Sequence, residues 1–280
     1  MTIETQKELS QPYPVTPEQI AFFRENGYIK LRHVLSPEAI RDMDETVTNE
    51  VHRFNTQHVP LEERDTYGKA FLQIMNIWIH SGPVREIVFS ERLARIATDL
   101  LEVSGVRLYH DQALYKEPGG GPTPWHADQY YWPLATDRTV TAWIPLQATP
   151  LAMGPLEFSA KSNQLTTGRD LRISDESQNL LEQTLREHGY THVVEPFDIG
   201  EVSFHTGWLY HRAGANDTDT MRKVMTVIYM DKDMVLKKPE NDNQVNDWNS
   251  WCPGARIGEI IQTARNPVLY RLEKHYGNAV

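Results

Sequence analysis

The chain has 280 residues, 40% of them apolar and 24% charged, and its 28 basic against 38 acidic side chains leave a net charge of −10. That length suffices for one sizeable core, and no run approaches the roughly 20 apolar residues that a membrane helix needs. The acidic balance argues against a nucleic-acid partner, the single cysteine (Cys252) excludes a disulfide framework or a cysteine-based metal cluster, and the absence of an export signal makes the cytoplasm the expected compartment.

Residues 1–15 are polar and are expected to form a flexible arm. In "VTPEQIAFFRENGYIKL", Thr16 can cap a helix, Pro17 suits its first turn and Gln19 completes a capping box; Gly27 ends the helix and "YIKL" reads as a short strand. "LSPEAIRDMDETVTNEVHRF" repeats the logic with Ser36 as cap, and "SERLARIATDLLEV" predicts a third helix from Ser90. Residues 16–104 are thus mostly helical. After Gly105 the pattern changes to β-formers in short alternation. "VRLYHDQALYKE" places His110, Gln112, Leu114 and Lys116 on one strand face. "PGGGPTP" is a loop, expected as a mobile rim rather than a phosphate cradle because no helix follows it. "RTVTAWIPL" puts Thr139, Thr141 and Trp143 on a common side, and one helix spans about 174–188. Further short strands run to about 235, and an irregular tail, 236–280, with Trp248 and Trp251, is expected to cover the core. Helices followed by short strands with glycine and proline turns predict a mainly β fold with flanking helices, a double-stranded β-helix (jelly roll) at 105–235, in a single domain over 1–280.

"PWHADQYYWP" carries the chemistry. On a strand, residues two apart point the same way, so His126 and Asp128 can present an imidazole and a carboxylate to one point. Those are two ligands of the two-histidine, one-carboxylate triad that leaves positions open on iron(II). An isolated H-x-D is common, and the bland alternative is a locally hydrogen-bonded surface pair. A third ligand must come from a distant strand, where His205 and His211 both stand available. Arg222, at the head of a β-rich run, offers a fork suited to a carboxylate.

The sequence resembles the phytanoyl-CoA dioxygenase family from "TPEQIAFFRENGYIKL" to about residue 235. The resemblance is carried by "YHDQALYKEPG", "PWHADQYYWP", "TVTAWIPL" with "GPLEF", and "YHRAGANDTDTMR". It implies that His126, Asp128 and His211 hold Fe(II), and that Arg222 pairs with the far carboxylate of the cosubstrate 2-oxoglutarate. His205 is then a tuning neighbour or a core histidine. Family members often carry Ser or Thr two residues past the distal histidine, where this chain has Ala213; Thr139 or Thr141 could supply the hydroxyl. Gln112 matches a polar position that binds cosubstrate or substrate. Related halogenating enzymes replace the carboxylate ligand with a small residue, so Asp128 favours hydroxylation.

The implied reaction consumes O2 and 2-oxoglutarate, releases succinate and CO2, and hydroxylates an unactivated C–H bond. Lys116, Tyr130, Trp132 and Trp143 are candidate substrate contacts, with Tyr131 beside them; the alternative for the aromatics is core packing, and for Lys116 a solvated edge. No dense basic cluster beside these motifs would suit the phosphates of a CoA ester, so a small, polar metabolite is the expected partner, with no nucleic acid and no membrane. The competing readings are another jelly-roll metal enzyme, such as an isomerase or a cosubstrate-independent dioxygenase, and a non-catalytic binding protein on the same fold.

Overall fold

The computed structural model describes residues 1–272. Eight helices occur among them: α1 (Ile3–Ser10), α2 (Pro17–Asn26), α3 (Pro37–Phe54), α4 (Thr66–Ala70), α5 (Gly82–Val88), α6 (Glu91–Leu101), α7 (Asp175–Glu187) and α8 (Asp242–Trp251). Eleven strands accompany them: β1 (Tyr28–Leu31), β2 (Leu72–Met75), β3 (Gly105–Lys116), β4 (Thr123–His126), β5 (Thr139–Pro145), β6 (Leu156–Ser159), β7 (His192–Val194), β8 (Val202–Thr206), β9 (His211–Ala213), β10 (Arg222–Asp231) and β11 (Val268–Arg271). The expected caps are present. Thr16 and Gln19 close a capping box on α2, Gly27 ends it at φ 79°, and Ser36 and Ser90 cap α3 and α6; α7, expected at about 174–188, is capped by Ser174, which the sequence had not singled out.

The strands form two antiparallel sheets. The larger has the order β1-β8-β5-β10-β3-β11 with β2 also on β3, and the smaller is β4-β9-β6-β7. Alternation along the larger sheet sorts its residues. Val140, Ala142, Ile144, Val202, Phe204, Met225 and Val227 face the N-terminal helices and share one apolar cluster with Ile40, Val47, Leu93 and Ile96. The opposite face meets the small sheet, where Trp143 and Val224 pack with Leu156, Phe158 and Leu209. Pairing fixes what lies side by side there. His205, Thr141, Ile228 and His110 are cross-strand neighbours in one row, and Trp143, Thr226, Gln112 and Met75 form the next. Tyr109 is an extra residue in β3, since Ile228 pairs with His110 and Tyr229 with Leu108. Such a bulge re-aims the side chains on either side of it.

Two expectations are corrected. Residues 3–10 are a helix, not a flexible arm. Leu9 is buried, the Glu8 carboxylate accepts hydrogen bonds from the Ser36 backbone N–H (2.7 Å) and hydroxyl (2.5 Å), and Arg92 Nε donates to Glu8 O (2.8 Å). The polar composition concealed a helix whose apolar anchors are few. Leu9→Ala is therefore expected to destabilise the protein by about 2–5 kcal/mol, read as a lower thermal midpoint, whereas an undocked arm would show no change. The tail is likewise not irregular: α8, capped by Asn241, seats Gln244 against the Tyr130 carbonyl at 3.0 Å. Residues 273–280 of that tail lie outside the described residues.

Candidate active site

His126 and His211 are cross-strand partners between β4 and β9, with ring centroids 4.2 Å apart. Asp128 does not share the strand of His126, as the spacing had predicted. β4 stops at His126, and Asp128 opens a 3-10 turn (128–131) held by Gln129 N donating to Gly207 O at 2.9 Å. The turn, rather than the pleat, swings the carboxylate back toward the two imidazoles. One donor atom from each of His126, Asp128 and His211 lies within 4.8 Å of the others.

The hydrogen bonds around the triad orient it for a metal. His126 Nδ1 faces Pro124 O at 2.8 Å and His211 Nδ1 faces Leu209 O at 3.0 Å. A carbonyl can only accept, so each Nδ1 carries the proton and each Nε2 lone pair is left to ligate. Those Nε2 atoms stand 3.6 and 3.7 Å from Asp128 Oδ1. The other oxygen, Oδ2, accepts from Thr141 Oγ1 at 3.4 Å and faces His205 Nε2 at 3.5 Å. The carboxylate is thus turned so that Oδ1 joins the imidazoles while Oδ2 is held from behind. Burial would raise the Asp128 carboxyl, but the surrounding His211, His126 and His205 take it well below the usual range; burial and His126 push His211 far down, keeping it neutral. Two imidazoles whose Nε2 atoms face one carboxylate fit a divalent cation of the iron(II) type.

A cavity of about 300 Å³ opens beside the triad. Arg222 reaches it from the first residue of β10. The residue is 2% exposed, Nη1 donates to Gly154 O at 2.6 Å, Nε has no partner, and the guanidinium lies 5.7 Å from the centre of the Trp143 ring. Burial pushes it down to about 10, still charged at neutral pH, and no carboxylate among the described residues pairs with it. A buried cation without a counter-ion is costly, and an incoming anion would relieve that cost. Thr123, the cross-strand partner of Ala213, lines the same cavity with a buried hydroxyl that has no partner.

Of the other residues singled out from sequence, Gln112, Thr141, Trp132, Trp143 and Tyr131 line the cavity. Three do not. Thr139 shares a strand face with Thr141, but its hydroxyl donates to Gln129 Oε1 at 2.8 Å, bracing the turn that carries Asp128. Tyr130 points to α8, where its hydroxyl accepts from Asn243 Nδ2 at 3.2 Å. Lys116 is wholly buried; its Nζ donates to Gly121 O, and to Gly214 O at 2.8 Å. Burial and the neighbouring Arg222 push it down to about 6, so a neutral amine, with two N–H groups, meets two carbonyls. It is neither a solvated edge lysine nor a cavity contact. The glycine loop beside it is pinned on both sides, Gly121 N to Lys69 O and Gly119 N to Asn216 O, both at 2.9 Å. Sequence reasoning missed Thr226, Gln73, Tyr67 and Asp247. The first two depend on strand register and the others on which distant segments close the cavity.

Comparison with known proteins adds the following. A family model described as phytanoyl-CoA dioxygenase (PhyH) matches residues 23–224. A solved structure of the epimerase SnoN from nogalamycin biosynthesis, in complex with Fe3+, alpha ketoglutarate and nogalamycin RO, superposes with a TM-score of 0.75 at 23% identity, covering 90% of this chain and 97% of that one. EctD from S. alaskensis, with 2-oxoglutarate and 5-hydroxyectoine, superposes with a TM-score of 0.70 at 21% identity, covering 94% and 93%. A protein of Stutzerimonas stutzeri described as a "Probable alpha-ketoglutarate-dependent hypophosphite dioxygenase" is 20% identical over 231 residues, 76% of this chain and 77% of that protein. At these identities the likeness to the solved structures is one of fold.

Proposed function

From the premise that the chain belongs to the phytanoyl-CoA dioxygenase family, and is a 2-oxoglutarate-dependent dioxygenase using iron(II) and O2, we propose that it hydroxylates an unactivated C–H bond of a small, polar metabolite. The observation that carries this is the pairing, in one cavity, of an oriented His126–Asp128–His211 triad with the buried, carboxylate-free Arg222. A double-stranded β-helix core within a single domain is part of the same reading, supported by the two antiparallel sheets and the cavity between them. No helix among the described residues is long and apolar enough to cross a membrane.

Iron(II) held by the triad, with 2-oxoglutarate and O2, supplies an oxidation in which the cosubstrate becomes succinate and CO2 and one oxygen atom passes to the substrate. The rest is the work of this chain. Arg222 pairs with the cosubstrate's far carboxylate, and the orphan Thr123 hydroxyl donates to the same group, replacing the side chain absent at Ala213. Thr141 and His205 would steady Asp128 at Oδ2, leaving Oδ1 turned toward the two imidazoles. Tyr131, Trp132 and Trp143 line the cavity with the triad, where they would exclude water and hold the substrate, which is the protein's contribution in a cofactor-driven reaction. A cavity of about 300 Å³ sits at the lower limit of ligand pockets. Once the cosubstrate is bound, it leaves room for a small substrate only.

Thr123→Val is expected to raise the KM for 2-oxoglutarate by about tenfold or more with little change in kcat, since a hydrogen bond to a charged group contributes roughly 1.5–3 kcal/mol; an unchanged KM would remove Thr123 from the cosubstrate site. The reading as a whole is tested by adding iron(II) and then 2-oxoglutarate to the apo protein without oxygen. A weak visible charge-transfer band is expected, absent in His126→Ala. Iron binding without the band would favour a jelly-roll metal enzyme that needs no cosubstrate, and no iron binding would mean that the fold has outlived the chemistry.

A further inference from the structure

Part of the cavity lining plays no role in holding the metal or cosubstrate. It comprises Tyr67, Phe71, Tyr131, Trp132 and Trp251, and with them a carboxylate, Asp247 of α8. Its Oδ2 accepts from Tyr109 Oη at 3.3 Å, so the bulged residue of β3 steadies it. No basic side chain among the described residues pairs with Asp247. His110, which lines the same cavity, is stacked on Trp251 (4.8 Å, 29°), and burial pushes it down to about 4, so it is neutral.

A charge inventory of the cavity wall makes Asp247 conspicuous. Arg212 is neutralised by Glu157, 2.7 Å away. On the functional reading above, on which this inference rests, iron(II) and Arg222 together balance the carboxylate of Asp128 and the two carboxylates of 2-oxoglutarate. With those partners in place Asp247 is the one carboxylate lining the cavity that has no cationic partner among the described residues, and aromatic side chains line the cavity with it. Electron-rich ring faces and a carboxylate in a partly dehydrated chamber attract a cation, with a contribution of about 0.5–2 kcal/mol per well-placed ring.

We propose that Asp247, with Tyr67, Tyr131 and Trp251, recognises a small organic ammonium ion, so that the substrate class of this enzyme is a metabolite bearing a protonated or quaternary nitrogen. The local electrostatics agree. Burial pushes the Asp247 carboxyl up to about 7, with Asp128 adding to the effect, so its ionised form is destabilised until a cation arrives. The phenol of Tyr131 is pushed up to about 12 by burial, with the Asp128 and Asp247 charges among the further causes, and that of Tyr67 rises for the same reasons; both remain neutral.

The test compares choline with 3,3-dimethyl-1-butanol, its uncharged carbon isostere, on anaerobic protein loaded with iron(II) and 2-oxoglutarate, following tryptophan fluorescence and the charge-transfer band. Choline is expected to bind at least about tenfold more tightly than the isostere, and Asp247→Asn, an isosteric change, is expected to abolish that preference while leaving the 2-oxoglutarate titration unchanged. Equal binding of the two probes, or binding of neither, by the unaltered protein overturns the proposal without reference to any variant, as does a preference that survives in Asp247→Asn. If the unaltered protein shows no charge-transfer band at all, the functional reading fails instead, and the two failures are distinguishable.

Discussion

Arg222→Met is expected to weaken 2-oxoglutarate binding by about 30- to 4,000-fold while iron binding persists. Removing one partner of a buried, hydrogen-bonded charge pair costs roughly 2–5 kcal/mol, and each 1.4 kcal/mol is tenfold. The same substitution should act in the opposite direction on the apo protein. There Arg222 is a buried guanidinium with a single hydrogen bond, to Gly154 O, and an orphan Nε. Methionine fills much of that volume without a charge, so the thermal midpoint of the apo variant is expected to rise. A titration of the charge-transfer band with 2-oxoglutarate reads the first effect and calorimetry reads the second. Unchanged cosubstrate affinity would remove Arg222 from the site, and with it the strongest argument against a metal enzyme that needs no cosubstrate.

Asp128→Ala is expected to abolish iron binding and activity together. In the unaltered protein, iron(II) at a hundred times its dissociation constant should stabilise the fold by about 2.7 kcal/mol, a rise of roughly 5–10 °C for a chain of this size, reversed by a chelator. In Asp128→Ala neither metal nor chelator should move the midpoint. Asp128→Glu is the sharper control. It keeps the carboxylate but displaces it from Thr141 and His205, which hold Oδ2 at 3.4 and 3.5 Å. Iron affinity is expected to fall even though the ligand type is retained. Retention of full affinity would show that this outer support is dispensable.

Several features were legible in the sequence because their causes are local. The caps at Thr16, Ser36 and Ser90 depend on residues within a turn, and the alternation at 110–116 and 139–143 depends on the pleat alone. His126 and Asp128 were legible as a pair, although the reason for their convergence is a 3-10 turn rather than a strand. What could not be read was anything that depends on register or on distant closure. Thr123 comes to lie opposite Ala213 only once β4 is paired with β9. Lys116 shares a strand face with Gln112, yet its long side chain bends to the Gly121 and Gly214 carbonyls instead of entering the cavity. His205 was ambiguous for the same reason. Its place beside Asp128 follows from its pairing with Thr141 in the neighbouring strand.

The cavity is lined from two kinds of segment, ladder strands and the helices and loop outside them, and this bears on how such a scaffold diverges. The groups assigned to iron and cosubstrate sit on mutually paired strands or the turn braced against them, where a change of residue also disturbs neighbours in the ladder. Tyr67, Phe71, Ile173, Asp247 and Trp251 come from α4, a loop and α8, outside those pairings. Segments of that kind tolerate replacement and insertion far better than ladder strands do. A lineage could exchange its α4 and α8 sequences and acquire a new substrate while inheriting its oxidising centre unchanged, and a designer could follow the same route by grafting those two helices alone.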